Sequence, residues 1–226
     1  NPTFEVTLTG EKNIMLPFKD STAVAKQPKE KNKKSLDSFV LNEFQLIDAS
    51  FHVTNSGKQR EFKIKNFNIS LHDLSIDHQP GEYLTSFSQV TFSVGEFMGN
   101  LQKGPLKQIG FKDFKIGIDS LEIQMTRDTL IYHFRDLNTA MHDLDIQTAD
   151  SIYHVSMKSF DLSYKSKSVK LSALSFKPNV SHAVLQKSHR YQHTEFSGDV
   201  GTLNFLNVNF DSLLYDKKIL IDEIAL

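Results

Sequence analysis

The stretch from Phe62 to Asp77 reads FKIKNFNISLHDLSID. Its apolar residues alternate as Phe62 and Ile64, skip to Phe67, Ile69 and Leu71, then skip again to Leu74 and Ile76. Period two marks a β-strand with one apolar face. Each skip is a change of phase, and a one-residue phase change would turn every later side chain to the other face. A β-bulge or a bend at the skip restores the facing. The spacing predicts one long strand with two joints, the second at His72-Asp73.

Much the same wording returns at Thr139 to Gln147, TAMHDLDIQ, where His142-Asp143 stands 70 residues after His72-Asp73. At that shift, without gaps, Phe44 falls on Phe114, Leu46 on Ile116, Phe62 on Tyr132, Ile64 on Phe134, Phe67 on Leu137 and Leu71 on Met141. The register continues with Tyr83 on Tyr153, Val90 on Phe160 and Phe92 on Leu162. So many apolar positions in one register identify an internal duplication. The second copy skips where the first does: Tyr132 and Phe134, then Leu137 and Met141, then Leu144 and Ile146. VKLSALSF skips at Ser172-Ala173 and ILIDEIAL at Asp222-Glu223. The joint thus recurs without histidine. His-Asp is read as one polar filling of a structural joint, not as a catalytic or metal site.

Feeder strands precede the joints. FQLIDASF, FKIGIDSL and FLNVNFDSL each run from Phe through alternating apolar residues to Ser and a large apolar residue. Turn residues follow at Asn55-Ser56-Gly57, Thr126-Arg127-Asp128 and Tyr215-Asp216-Lys217. TFEVTLTG, SFSQVTFSV and LNFLNVNF, the last with Val208 and Phe210 in phase, add further strands. SFKPN, Ser175 to Asn179, ends a strand at a proline. Helical periodicity is scarce, and the best candidate is Val180 to Phe196, after Pro178 and Asn179. The fold class expected is mainly β: repeated antiparallel meanders forming an elongated curved sheet or groove, with at most one or two short helices. About a dozen strands at about 4.8 Å each give a sheet roughly 50–60 Å long. Closure as a sandwich or barrel is the other way to bury one apolar face.

The expected organisation is strands of a preceding unit over residues 1–19, a polar Lys-rich loop or linker over 20–38, β repeat 1 over 39–110 and β repeat 2 over 111–180. A helical or loop segment with a partial third repeat takes up 181–226. Residues 20–38, with Lys26, Lys29, Lys31, Lys33 and Lys34 around Pro28, hold too little apolar surface to order themselves. They read as a solvated loop, or else as a patch for anionic lipid headgroups. Beginning on NPTFEVTLTG and stopping within ILIDEIAL, the sequence reads as a piece of a longer protein, with any anchor or signal outside it.

Composition narrows the chemistry. The 26 Lys and Arg balance 27 Asp and Glu, so no global field points to nucleic acid or acidic substrates. With no cysteine, disulfides, thiolate zinc sites and cysteine nucleophiles are excluded together. The absence of any apolar run of about 18 residues excludes a spanning helix in this sequence. No phosphate loop, serine elbow or HExxH helix is present. His182, His189 and His193, with Glu195 nearby, fit no metal spacing well, and Lys187 and Arg190 oppose a cation. No cofactor and no metal is expected.

The segments VLNEFQLIDASF, FKIKNFNISLHDLSID, LSFKPN and VGTLNFLNVNFDSLLYDKKILIDEIAL resemble the AsmA-like envelope proteins of Bacteroidetes, within the wider AsmA/TamB group of repeating β-groove proteins. The resemblance covers Leu36 to Leu226 and rests on the repeat pattern, not on an active-site motif. It implies a periplasmic body, anchored to the inner membrane by a helix outside this sequence. It also implies an apolar groove that carries phospholipids or other acyl lipids and supports outer-membrane assembly or integrity, without catalytic residues. The groove candidates are Phe44, Leu46, Ile64, Phe67, Leu71, Phe114, Ile116, Phe134, Leu137 and Met141. Two rivals stand beside this reading. One is a structural or adhesion-type β-sandwich with a closed core. The other is a glycan-binding or glycan-processing domain, which calls for exposed aromatics and carboxylates around a cleft; the sequence has no Trp.

Overall fold

Most of the skips in the alternation are built on residues in the left-handed backbone region. The computed structural model describes residues 3–8, 38–55, 60–79, 81–101, 106–126, 128–149, 152–179 and 196–226. Asn66 (φ 51°) and Asp73 (φ 50°) occupy the two joints of the opening stretch, and Asp143 (φ 48°) and Ala173 (φ 48°) occupy joints downstream. Asp48, Asp113 and Asn207 share the conformation. Asp and Asn dominate because their short polar side chains tolerate this region best among non-glycine residues.

The strands are β1 Thr3–Leu8, β2 Ser38–Asn55, β3 Arg60–Gln79, β4 Glu82–Leu101, β5 Leu106–Thr126 and β6 Leu130–His133. They continue with β7 Asp136–Thr148, β8 Tyr153–Ser163, β9 Ser168–Pro178, β10 Gly198–Leu206 and β11 Glu223–Ala225, with one helix among the described residues, α1, at Phe210–Tyr215. All eleven form one open sheet in the order β1-β2-β3-β4-β5-β7-β8-β9-β10-β11, with β6 paired to β5. Pairing is antiparallel throughout except between β1 and β2. The mainly β fold of antiparallel meanders, expected with at most one or two short helices, is therefore the observed architecture, with one short helix among the described residues. Ten strands on the main path set its two edges about 43 Å apart.

The joints fall into rows that cross the sheet. In the first row Asn66 and Asp113 lie on either side of Gly95, and the line continues through Asp143 and Lys158 to Ala173. A Cβ on Gly95 would come within 2.9 Å of the Asn66 Cβ, so the middle strand needs glycine there. In the second row Asp73 and Ser120 lie on either side of Ser88. β3 pairs with β4, and β4 with β5, without a register shift, so neighbouring strands cross each row together. The rows divide the sheet into three panels and keep the apolar side chains on one face through all of them.

Three expectations are corrected. LNFLNVNF does not continue as a strand through Val208 and Phe210. Asn209 caps α1 by accepting the Ser212 N–H at 3.0 Å, and Phe210 opens the helix. ILIDEIAL carries no left-handed joint at Asp222-Glu223, and only Glu223–Ala225 pairs, with β10. The joint between Phe134 and Leu137 is a strand break rather than a bulge: β6 ends at His133, β7 begins at Asp136, and the Arg135 N–H donates to the Asp119 carbonyl at 2.9 Å. The Val180 to Phe196 helix candidate lies outside the described residues except for Phe196, and the Lys-rich loop except for Ser38.

Among the described residues no second layer covers the sheet: the strands pack on their sheet neighbours, and α1 packs only at one end, against Tyr132 and Tyr164. Among the described residues the buried apolar ones are Ala49, Val94, Ile152, Met157, Val208 and Phe210, and no large side chain is fully buried.

Candidate functional site

Directly opposed residues of antiparallel strands share a face, so the ladder shows where each candidate lies. One rung runs Leu46, Ile69, Phe92, Ile116, Thr139, Leu162, Val169 and Phe205. Beside it lie Phe44, Leu71, Val90, Ile118 and Leu137 on one side, and Phe67, Val94 and Phe114 on the other. Across the first row of joints stand Ile64, Phe97 and Phe111. Met141 faces Phe160 and then Leu171, where β5 carries one extra residue between the Lys112–His142 and Lys115–Ala140 pairs. Nine of the ten candidates therefore share one apolar face. The tenth, Phe134, sits in the gap between β6 and β7 with its ring 4.9 Å from that of Tyr164.

This face is lined with phenylalanine. Ring centroids step from Phe51 to Phe67 (5.2 Å), Phe92 (5.0 Å), Phe114 (6.1 Å), Phe111 (5.7 Å), Phe97 (4.8 Å) and Phe62 (6.3 Å). The sequence reading missed five of these seven rings, although the same period-two signal carries them. None of the ten candidates is buried: Phe44 is 44% exposed and the others are half-buried. Eight strands at about 4.8 Å, and some ten residues along each of the longer ones, make an apolar area on the order of 1,000 Å². Patches beyond a few hundred Å² mark sites of interaction.

At one end of the same face sits α1. The Tyr215 ring stacks on Tyr132 at 5.7 Å, and its hydroxyl donates to the Tyr132 carbonyl at 3.0 Å. Phe210 stacks on Tyr164 at 5.7 Å, and the Tyr164 hydroxyl donates to the Asp211 carboxylate at 2.6 Å. That bond, with partial burial, raises the Tyr164 hydroxyl from 10.0 to about 12. Period-two reading of VNFDSL concealed this cluster.

The opposite face is polar. Lys65 pairs with Glu96 at 2.8 Å, Lys177 with Asp199 at 2.9 Å and His154 with Asp145 at 2.6 Å. Glu61 accepts from Lys63 at 3.0 Å and contacts His52 at 2.8 Å, and these contacts hold its carboxyl near 2 rather than 4.5. The duplicated His-Asp pairs do not act as pairs. His72 Nε2 meets the Ser70 hydroxyl at 2.9 Å, whereas Asp73 accepts from Ser88 on the next strand at 2.6 Å. Asp143 accepts from Lys158 at 2.6 Å, which holds its carboxyl below the ordinary range, and His142 Nδ1 is buried without a partner. In both copies the aspartate reaches across to a neighbouring strand and away from its histidine. Between the two rows of joints a cleft of about 610 Å³ opens over Gly117 and Ala140.

Among the described residues no cluster of His, Asp or Glu could hold a metal ion, and no helix is long and apolar enough to cross a membrane. His182, His189, His193 and Glu195 lie outside the described residues. No family model, curated protein or solved structure matches the chain.

Proposed function

We propose that the chain is a non-enzymatic, AsmA-like periplasmic domain that binds and guides lipid acyl chains along its apolar face. The observation that carries this reading is the phenylalanine-lined face without a covering layer among the described residues. An acyl chain matches such a surface because it needs no hydrogen-bond partner and gains by leaving water. Rows of joints running across the strands suit a long ligand lying along the rows. The resemblance of the repeat to AsmA-like segments supports placement in a Gram-negative envelope, with an inner-membrane anchor outside this sequence and a role in outer-membrane assembly or integrity.

Native mass spectrometry of the purified chain, followed by lipid extraction, tests the proposal. The expected result is bound phospholipid that is lost in the Leu71→Asp, Met141→Asp variant while the β circular dichroism spectrum is kept. A clean unliganded mass, with no uptake from phosphatidylethanolamine and phosphatidylglycerol vesicles by a folded sample, would favour the structural β domain without a lipid ligand.

A further inference from the structure

We propose that the sheet dips one rim into the surface layer of a lipid bilayer. The rim is formed by the start of β2 and by the hairpins β3–β4 and β5–β6. Apolar side chains stand there on both faces. Tyr83, Met125 and Leu130 share the last rung of the apolar face. One residue inward, Leu84 and Ile131 share a rung with Asp77 and Gln124, on the polar face. Val40 shares a further polar-face rung with Ser75 and Ser86. All six are exposed, Val40 by 65% and Leu130 by 62%. At the opposite end of β2 to β5, no large apolar residue among the last three of each strand is exposed.

The placement on two faces says what can cover the rim. An acyl chain or a second copy lying on the apolar face would meet Tyr83, Met125 and Leu130, and would leave Val40, Leu84 and Ile131 in water. Together the six side chains expose on the order of 500 Å², more than scattered apolar residues do and less than the roughly 800 Å² a side of a standard protein interface. Divided between two faces, that area offers no single patch to a protein. A fluid surface closes around both faces at once. The inference therefore stands apart from the acyl-chain reading.

The rim also has the depth of such a layer. From the rung of Val40 to that of Leu130 is about 10 Å along the strands, and interfacial elements sink about 5–10 Å. Tyr83 stacks on His78 at 4.5 Å, and rings with polar edges favour the headgroup level. The turns carry Asp128 and Glu82, which accepts a hydrogen bond from Gln124. Both carboxylates suit hydrated headgroups and not hydrocarbon. The rim thus rests in the surface layer and does not cross it.

Flotation of the purified chain with phosphatidylcholine vesicles tests the proposal, since a neutral headgroup leaves basic residues no role. The chain should float with the vesicles, unchanged in about 0.5 M salt, because screening does not weaken apolar burial. Leu84→Asp, Ile131→Asp should lower the partition coefficient about tenfold, since both carboxylates would have to shed water. The same variant should keep phospholipid bound on the apolar face in native mass spectrometry, so failure of either reading shows separately. Met98→Asp makes the same change at an exposed position on the polar face, toward the opposite end, and should float like the parent. Val40→Asp, at the most exposed of the six, should weaken binding about threefold even if the double variant fails to fold. No flotation of the parent chain would overturn the proposal. So would undiminished flotation of the folded rim variants, or a loss in Met98→Asp as large as theirs.

Discussion

The two halves of the sheet are built from the same repeat and end differently. In the half formed by β2 to β5, strands of 18 to 21 residues cross both rows of joints and span three panels. In the half formed by β7 to β10, strands of 9 to 13 residues stop at the second row. β4 and β8 hold equivalent places in the duplication, yet β4 continues to Leu101 while β8 stops at Ser163 and turns back through Tyr164 to Lys167. At the end of the face where the long strands build their third panel, the short half carries α1 instead, against Tyr132 and Tyr164. The helix substitutes for strand at that end. A repeat can therefore keep its joints and its apolar face while replacing one panel with a different element.

The comparison breaks most visibly at Phe210. It is 6% exposed, the most enclosed ring of the helix cluster, whereas Phe92 on the open face of the long half is only half-buried. Phe210→Ala should cost about 3 kcal/mol, within the range for truncating a buried phenylalanine. Phe92→Ala should cost about 1–2 kcal/mol, because much of its ring already meets water. Hydrogen exchange separates the two. Loss of protection confined to residues 208–216 in Phe210→Ala would mark α1 as a local unit. Equal costs for the two variants would mean that the apolar face is covered in solution.

The joints give the next largest effect, and one that changes sign. Ala173 sits in the left-handed region at φ 48°, which costs an L-residue about 1–2 kcal/mol. Glycine removes that strain but loses chain entropy on folding, so Ala173→Gly should stabilise by about 0.5–1 kcal/mol. Ala140, on an ordinary stretch of β7, should respond oppositely, with Ala140→Gly destabilising by about 0.5–1 kcal/mol. Asp143→Val should cost more than 1 kcal/mol, because a β-branched residue fits the left-handed region worst. Urea midpoints of the three variants decide the matter. A common sign for the two glycine substitutions would sink the reading of the joints as strained positions.

What could be read in the sequence follows the physics of alternation. A phase change in apolar residues has to be made good in the backbone, so the joints at Asp73, Asp143 and Ala173 were legible from one line of text. The apolar face and nine of its ten candidate residues followed from the same count. Alternation is silent about what lies across from a face, so by itself it left the open sheet and the closed sandwich or barrel as alternatives. VNFDSL alternates as a strand does, and only Asn209 as a cap hinted at a helix of six residues. The cleft over Gly117 and Ala140 depends on the register of several strands, which no local pattern encodes.

The smallest effect expected concerns charge, and it sharpens the contrast between halves. Glu61, in the long half, is held near 2 by hydrogen bonds from Lys63 first, then His52 and Asn100. Asp199, in the short half, is lowered by Lys177 first and then by Ser175. A carboxyl whose folded value lies below its unfolded one contributes stability above the unfolded value, and loses it as pH falls toward the folded value. For Glu61 that window runs from 4.5 down to about 2. Both carboxyls are at the surface, so the contributions are small and fade with salt. Urea midpoints at pH 6, 4 and 2.5 in low salt should fall less steeply below pH 4.5 in Glu61→Gln than in the parent chain. Asp199→Asn should flatten the curve less, since two partners are lost rather than three. If the parent and Glu61→Gln curves run parallel over this window, the cluster on the long half contributes no pH-dependent stability, and the two halves are alike in this respect.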